Sequence, residues 1–129
     1  MILDSSAILA VLLDEPEAER LVDRMLEADL VGVGAPTLCE TGMVLASRLG
    51  PESRGVLERF LQEFEVVELP FGGEHWREAV EAFRRYGRGR HAAALNFGDC
   101  LSYATARLSG RPLLFVGDDF SRTDVEAAG

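Results

Sequence analysis

Four short apolar runs punctuate this chain: MILD (residues 1–4), LVGVGA (30–35), EVVELP (65–70) and PLLFVG (112–117). Their Val, Ile and Leu content and their length read as strands, and the long stretches between them carry helical periodicity. SAILAVLLDEPEAERLVDRMLEAD reads as helix, interrupted before Pro16, with Ser5 or Ser6 placed to cap it. Pro36 stands where a second helix starts, and Gly50 closes it. PESRGVLERFLQEF repeats the device, with an apolar stripe at Val56, Leu57, Phe60, Leu61 and Phe64. GEHWREAVEAFRRYG sets Trp76, Val80 and Phe83 on one face and stops at Gly87, and FGDCLSYATARLSG ends at Gly110. The order is strand, helix, strand, two helices, strand, two helices, strand. It predicts an α/β fold: three layers, with a mainly parallel central sheet covered by helices on both faces. The 129 residues, without repeat or linker, suit a single domain over 1–129.

With 47% hydrophobic residues such a chain can bury a core without staples. Cys39 and Cys100 form no metal-spaced pair and are expected as reduced core thiols. The opening lacks a basic leader, and its apolar run is broken by Asp14 and Glu15, so it does not read as a signal peptide. No apolar run approaches the roughly 18 residues a bilayer span requires. The expected location is the cytoplasm. A net charge of −9 argues against binding nucleic acid by bulk charge but leaves room for a local basic patch. All 13 basic residues are arginine. Receiver domains and aspartate-nucleophile phosphatases need a lysine, so both are excluded.

In an open parallel sheet, sites form beyond the carboxyl ends of the strands. Asp4 ends the first predicted strand, Asp118 and Asp119 follow the last, and Asp99 opens the helix that feeds the last. Glu40 lies in the otherwise apolar TLCETGMVLA, where a carboxylate is costly without a partner. Each acid also has a plain structural role available. Asp4 can cap a helix, Asp99 can share a capping box with Asn96, Asp118 and Asp119 can be turn residues, and Glu40 can face solvent. Repulsion constrains the clustered alternative. Two unit charges about 4 Å apart repel by about 4 kcal/mol at an effective dielectric near 20. Four packed that closely would exceed a domain's stability of roughly 5–15 kcal/mol. Such a cluster must be spread out, partly protonated or bound to cations. All-oxygen donors favour Mg²⁺ or Mn²⁺, and His75 and His91 do not pair at zinc spacing.

These residues resemble the PIN-domain ribonucleases, in particular the VapC-type toxins of type II toxin–antitoxin pairs. MILDSSAILAVLLDEPEAE is similar to that family's opening, with Asp4 as first acid, and APTLCETGMVLASR to its second motif, with Glu40. RRYGRGRHAAALNFGDCLSYATA resembles the third, with Asp99, and LLFVGDDFSRTDV the last, where Asp119 matches better than Asp118. The resemblance implies a PIN-like fold and Mg²⁺-dependent (or Mn²⁺-dependent) cleavage of RNA phosphodiesters. Asp4 and Asp99 would hold the metal, with Glu40 and Asp119 as further ligands, direct or through water. Ser6, Asn96 and Asp118 are candidates to orient these carboxylates or the phosphate, although for Ser6 capping is at least as good a reading. The resemblance also implies a homodimer and a cognate antitoxin protein as partner. A housekeeping PIN nuclease or a non-catalytic PIN-like binding module are the alternatives.

RRYGRGRH carries Arg84, Arg85, Arg88 and Arg90. The first two suit a helix C-terminus. Arg88 and Arg90 fall beyond Gly87 and are candidates to hold RNA phosphates, or to meet an acidic antitoxin segment.

Overall fold

The computed structural model describes residues 1–129. β1 (Ile2–Leu3) leads into α1 (Ser5–Leu12) and α2 (Ala18–Glu27), and β2 (Gly32–Gly34) into α3 (Ala35–Leu49) and α4 (Ser53–Glu63). β3 (Val67–Leu69) leads into α5 (Gly73–Tyr86) and α6 (Phe97–Ser109), and β4 (Leu113–Leu114) follows. The first helical stretch breaks around Pro16, as expected. Gly50 and Gly110 end α3 and α6 with φ of 67° and 68°, a region that favours glycine.

All four strands are parallel, in the order β3-β2-β1-β4. Ile2 stands opposite Gly32 on one side and Leu113 on the other. Strand alternation divides the core. Ile2 and Leu113 pack with Ala79, Ala82, Tyr103 and Ala104 of α5 and α6, whereas Leu3, Val33 and Leu114 pack with Ile8, Leu21, Met25 and Phe60 of α1, α2 and α4. The result is the three-layer α/β/α architecture. Each large apolar side chain buried this way contributes about 1.5–3 kcal/mol. α3 touches α1, α4 and α6, and its buried positions are Thr37, Thr41 and Leu45.

The expectation of two core thiols needs correction. Cys100 is buried, but Cys39 is exposed; both are free thiols. The buried face of α3 runs through positions 37, 41 and 45, which turns position 39 away from it. Trp76, Val80 and Phe83 share one face of α5, as their spacing predicts, and that face is open: they are 52%, 52% and 41% exposed. Small residues, Ala79 and Ala82, bring α5 onto the core instead. The stripe and the 80% exposed Phe97 line an apolar groove of about 310 Å³ between α5 and α6.

From β1 the chain adds β2 and then β3 on one side, then returns to place β4 on the other. The direction reverses at β1, and a crevice opens beyond the carboxyl end of a strand at such a reversal. Asp4 is the residue that follows β1.

Candidate active site

Asp4 is 3% exposed and caps α1, accepting the Ser6 backbone N–H on Oδ2 at 3.1 Å. The same oxygen accepts the Ser6 hydroxyl at 2.6 Å, and Oδ1 accepts the Ser102 hydroxyl at 2.6 Å. The Asp4 N–H donates to the Leu114 carbonyl at 3.0 Å, which ties it to the neighbouring strand. Ser6 thus holds the Asp4 carboxylate through both its N–H and its hydroxyl, and the cap of α1 is Asp4 rather than Ser5 or Ser6.

Asp99 is the third residue of α6 and shares a reciprocal capping box with Asn96. The Asp99 N–H donates to Asn96 Oδ1 at 2.9 Å, and the Asn96 N–H donates to Asp99 Oδ2 at 3.0 Å. It is thus the backbone of Asn96 that steers this carboxylate; the side chain holds the helix start. The capping roles posed from sequence are present at both Asp4 and Asp99.

Glu40, on the second turn of α3, is half-buried, and its Oε1 is the one buried side-chain oxygen without a hydrogen-bond partner. Its carboxylate lies against the first turn of α6, where a Cβ at position 98 would collide with it. Gly98 makes that approach possible. Asp119 is exposed and makes no capping bond. The chain on its far side is fixed: Phe120 is buried, and Asp124 accepts the Tyr103 hydroxyl and stands 3.3 Å from Arg107 and 3.5 Å from Arg85. Burial works to raise the Asp124 pKa, but the Tyr103 hydroxyl and the two guanidiniums outweigh it and hold it low. Asp118 is exposed and accepts from Ser121 through its backbone carbonyl only.

The electrostatics tie the four acids together. Burial pushes Asp99 up to about 6; the Asn96 N–H opposes this, and the charges of Asp4, Asp119 and Glu40 add to it. Burial also raises Glu40, the Ser5 side chain works against that, and Asp4 adds to it. Asp118 is absent from both sets, which favours Asp119 as the fourth member. No arginine acts on either group. As placed, no three of these side chains form a ready set of metal ligands. The donor set nevertheless fits a hard divalent cation: oxygen only, mutually repelling, without a neutralising base, and with one orphaned oxygen.

Arg88 and Arg90 are exposed in the loop after α5, which the Gly87–Leu95 bridge closes. The Arg90 guanidinium lies 5.4 Å from the centre of the Phe83 ring. Neither arginine pairs with an acid within 4 Å. The sequence reading overlooked Ser102, Thr37 and Gly98. A spacing signal existed: Ser102 lies one turn after Asp99, and Thr37 one turn before Glu40.

The sequence model of the PIN domain matches residues 1–126. The chain belongs to the PIN-domain family. Among its PIN relatives, Ribonuclease VapC36 of Mycobacterium tuberculosis is 45% identical over 130 residues, covering 100% of this chain and 94% of that protein. Ribonuclease VapC of Mycolicibacterium smegmatis is 41% identical over 127 residues, 98% of each chain. Solved structures repeat the PIN fold at low identity. Mycobacterium tuberculosis VapC20, described as a Sarcin-Ricin loop cleaving toxin, superposes with a TM-score of 0.77 at 18% identity, over 96% of this chain and 95% of its own. VapBC2 of Rickettsia felis, bound to a promoter DNA fragment, gives 0.73 at 12% identity, over 98% and 94%.

Proposed function

We propose that this PIN-domain chain is a divalent-metal ribonuclease that cleaves RNA phosphodiester bonds and serves as the toxin of a toxin–antitoxin pair. The observation that carries the chemistry is the convergence of Asp4, Glu40, Asp99 and Asp119 at the reversal point of the sheet, with no cation to balance them. The name ribonuclease on the VapC relatives supports RNA as substrate, and the VapC20 structure, described as that of a toxin, supports toxicity. Asp4 and Asp99 would hold Mg²⁺, or Mn²⁺, with Glu40 and Asp119 completing the set. Bound there, such a cation makes a water nucleophilic near neutral pH and offsets phosphate charge.

The remaining work falls to the protein. Ser6 and the Asn96 backbone keep two carboxylates aimed. Gly98 admits Glu40 to the helix start. Arg88 and Arg90 draw RNA phosphates to an otherwise acidic protein. The partners are RNA, a cognate antitoxin protein and a second copy of the chain; the exposed apolar groove between α5 and α6 is the kind of face that supports protein contacts. The site of action is the cytoplasm, and no helix is long and apolar enough to cross a membrane.

The test pairs chemistry with biology. Purified wild type should cleave cellular RNA with Mg²⁺ and not with EDTA, and Asp4→Asn and Asp99→Asn should be inactive while keeping native circular dichroism. Full activity in either folded variant removes the site. Induction alone should arrest growth, and co-expression of the neighbouring antitoxin frame should restore it. Normal growth with soluble protein expressed would return the chain to the housekeeping or non-catalytic alternatives.

A further inference from the structure

An ionised carboxylate offers about four lone-pair positions, two on each oxygen. Three of those on Asp4 are taken. The Ser6 N–H and Ser6 hydroxyl fill Oδ2, at 3.1 and 2.6 Å, and the Ser102 hydroxyl takes one position on Oδ1, at 2.6 Å. The remaining position is on Oδ1, the oxygen that Ser102 holds. Each hydroxyl also has a donor behind it. The Val116 N–H donates to Ser6 Oγ at 3.0 Å. Ser102 Oγ stands 3.3 Å from Thr37 Oγ1. Ser102 has one proton, committed to Asp4, so in that longer contact Thr37 is the donor.

Ser102 departs from its neighbours. Buried helical Ser and Thr usually turn back to the carbonyl four residues earlier. Thr41 does so to Thr37, and Thr105 to Leu101, in the same buried band of hydroxyls. Ser102 reaches across to Asp4 instead, although it and Thr37 are each 1% exposed and neither caps a helix. A buried hydroxyl that forgoes the local bond needs another reason for its place. Ser102 lies one turn from Asp99 on α6 and Thr37 one turn from Glu40 on α3, so the pair ties Asp4 to both helices that carry the other inner acids.

Resting on the metal-dependent reading above, we propose that Ser102 is a positioning residue that aims the free lone pair of Asp4 Oδ1 at the cation, and that Thr37 orients Ser102 for this. Partners behind a metal ligand typically govern metal affinity or activity by 10–100-fold. The probe is Mn²⁺ alone, with the free ion followed by electron paramagnetic resonance. Ser102→Ala should weaken binding by about 10–100-fold relative to wild type. Thr37→Val, nearly the same shape without a hydroxyl, should weaken it in the same direction, and Thr37→Ser should restore it. In RNA cleavage the metal concentration for half-maximal rate should rise in step, while the rate at saturating metal recovers. Folded Ser102→Ala that binds Mn²⁺ within twofold of wild type overturns the proposal. If Ser102→Ala does not fold, the Thr37 pair decides: valine weak and serine strong supports it, and equal binding overturns it. Wild type that binds no Mn²⁺ strikes the metal-dependent reading itself, and this proposal with it.

Discussion

Asp99 is held by its capping box in a place where its charge is unwelcome, and the sign of the consequence can be worked out. Its folded pKa, about 6, lies above the ordinary value of 3.8, so between those values the folded state binds more protons than the unfolded one. Stability from this group is present at low pH and is lost as pH rises toward 6 and beyond. Metal-free protein should therefore melt higher at pH 5 than at pH 6.5, and Asp99→Asn should flatten that slope; an unchanged slope would mean that Asp99 is not electrostatically burdened. On the proposed function Mg²⁺ would compete with the same proton, so its binding should weaken as pH falls through about 6. Gly98 gives a second test at this scale. Glycine to alanine inside a helix ordinarily gains about 0.8–1 kcal/mol, but here the new methyl meets the Glu40 carboxylate. Gly98→Ala should fail to stabilise and should lower RNA cleavage; a more stable variant with full activity would show that Glu40 does not need this close approach. The four acids stood out in the sequence because each falls in a family-like motif; only Asp4 and Asp119 also follow a strand, β1 and β4, whereas Asp99 and Glu40 sit on helices. Ser102 and Thr37 did not stand out, because a buried serine or threonine in a small-residue helix reads as packing until its hydrogen bond is seen.

α5 shows where periodicity stops being informative. Trp76, Val80 and Phe83 do share one face, as their spacing requires, but spacing does not say which apolar face turns inward. Ala79 and Ala82 do, because small side chains let α5 and α6 approach closely. Cys39 was misplaced for a similar reason: its apolar neighbours sit on other sides of α3. Helix ends were more readable, since proline and glycine act locally whatever the tertiary context. For the loop after α5, replacing Arg88 and Arg90 with Ser should flatten the salt dependence of RNA binding, by about 0.7 in slope for each single-stranded phosphate no longer neutralised. An unchanged slope would move both residues out of RNA binding.

Across the whole molecule, the order of strands and helices was enough to read a parallel α/β sheet, and the reversal at β1 puts its first acid in the crevice. The approach of α3 to α6, which brings Glu40 in, depends on Gly98 and on buried hydroxyls, and no periodicity announces it. The structure also decides which acid best reports on the cluster. Asp4 accepts three hydrogen bonds, so converting it to asparagine mixes broken bonds with relieved repulsion. Asp99 accepts one, which asparagine can keep. The decisive measurement is the thermal melting of wild type and Asp99→Asn at pH 7.5, each with EDTA and with Mg²⁺ at fixed ionic strength; it needs no knowledge of the RNA target. At a hundred times its dissociation constant, a ligand specific to the folded state adds about 2.7 kcal/mol, a rise on the order of 10 °C for a domain of this size. Wild type should show that rise, while Asp99→Asn should melt above wild type in EDTA and gain little from Mg²⁺. Wild type indifferent to Mg²⁺, together with Asp99→Asn melting below it in EDTA, would mean that these acids are helix caps and turn residues that do not share a cation.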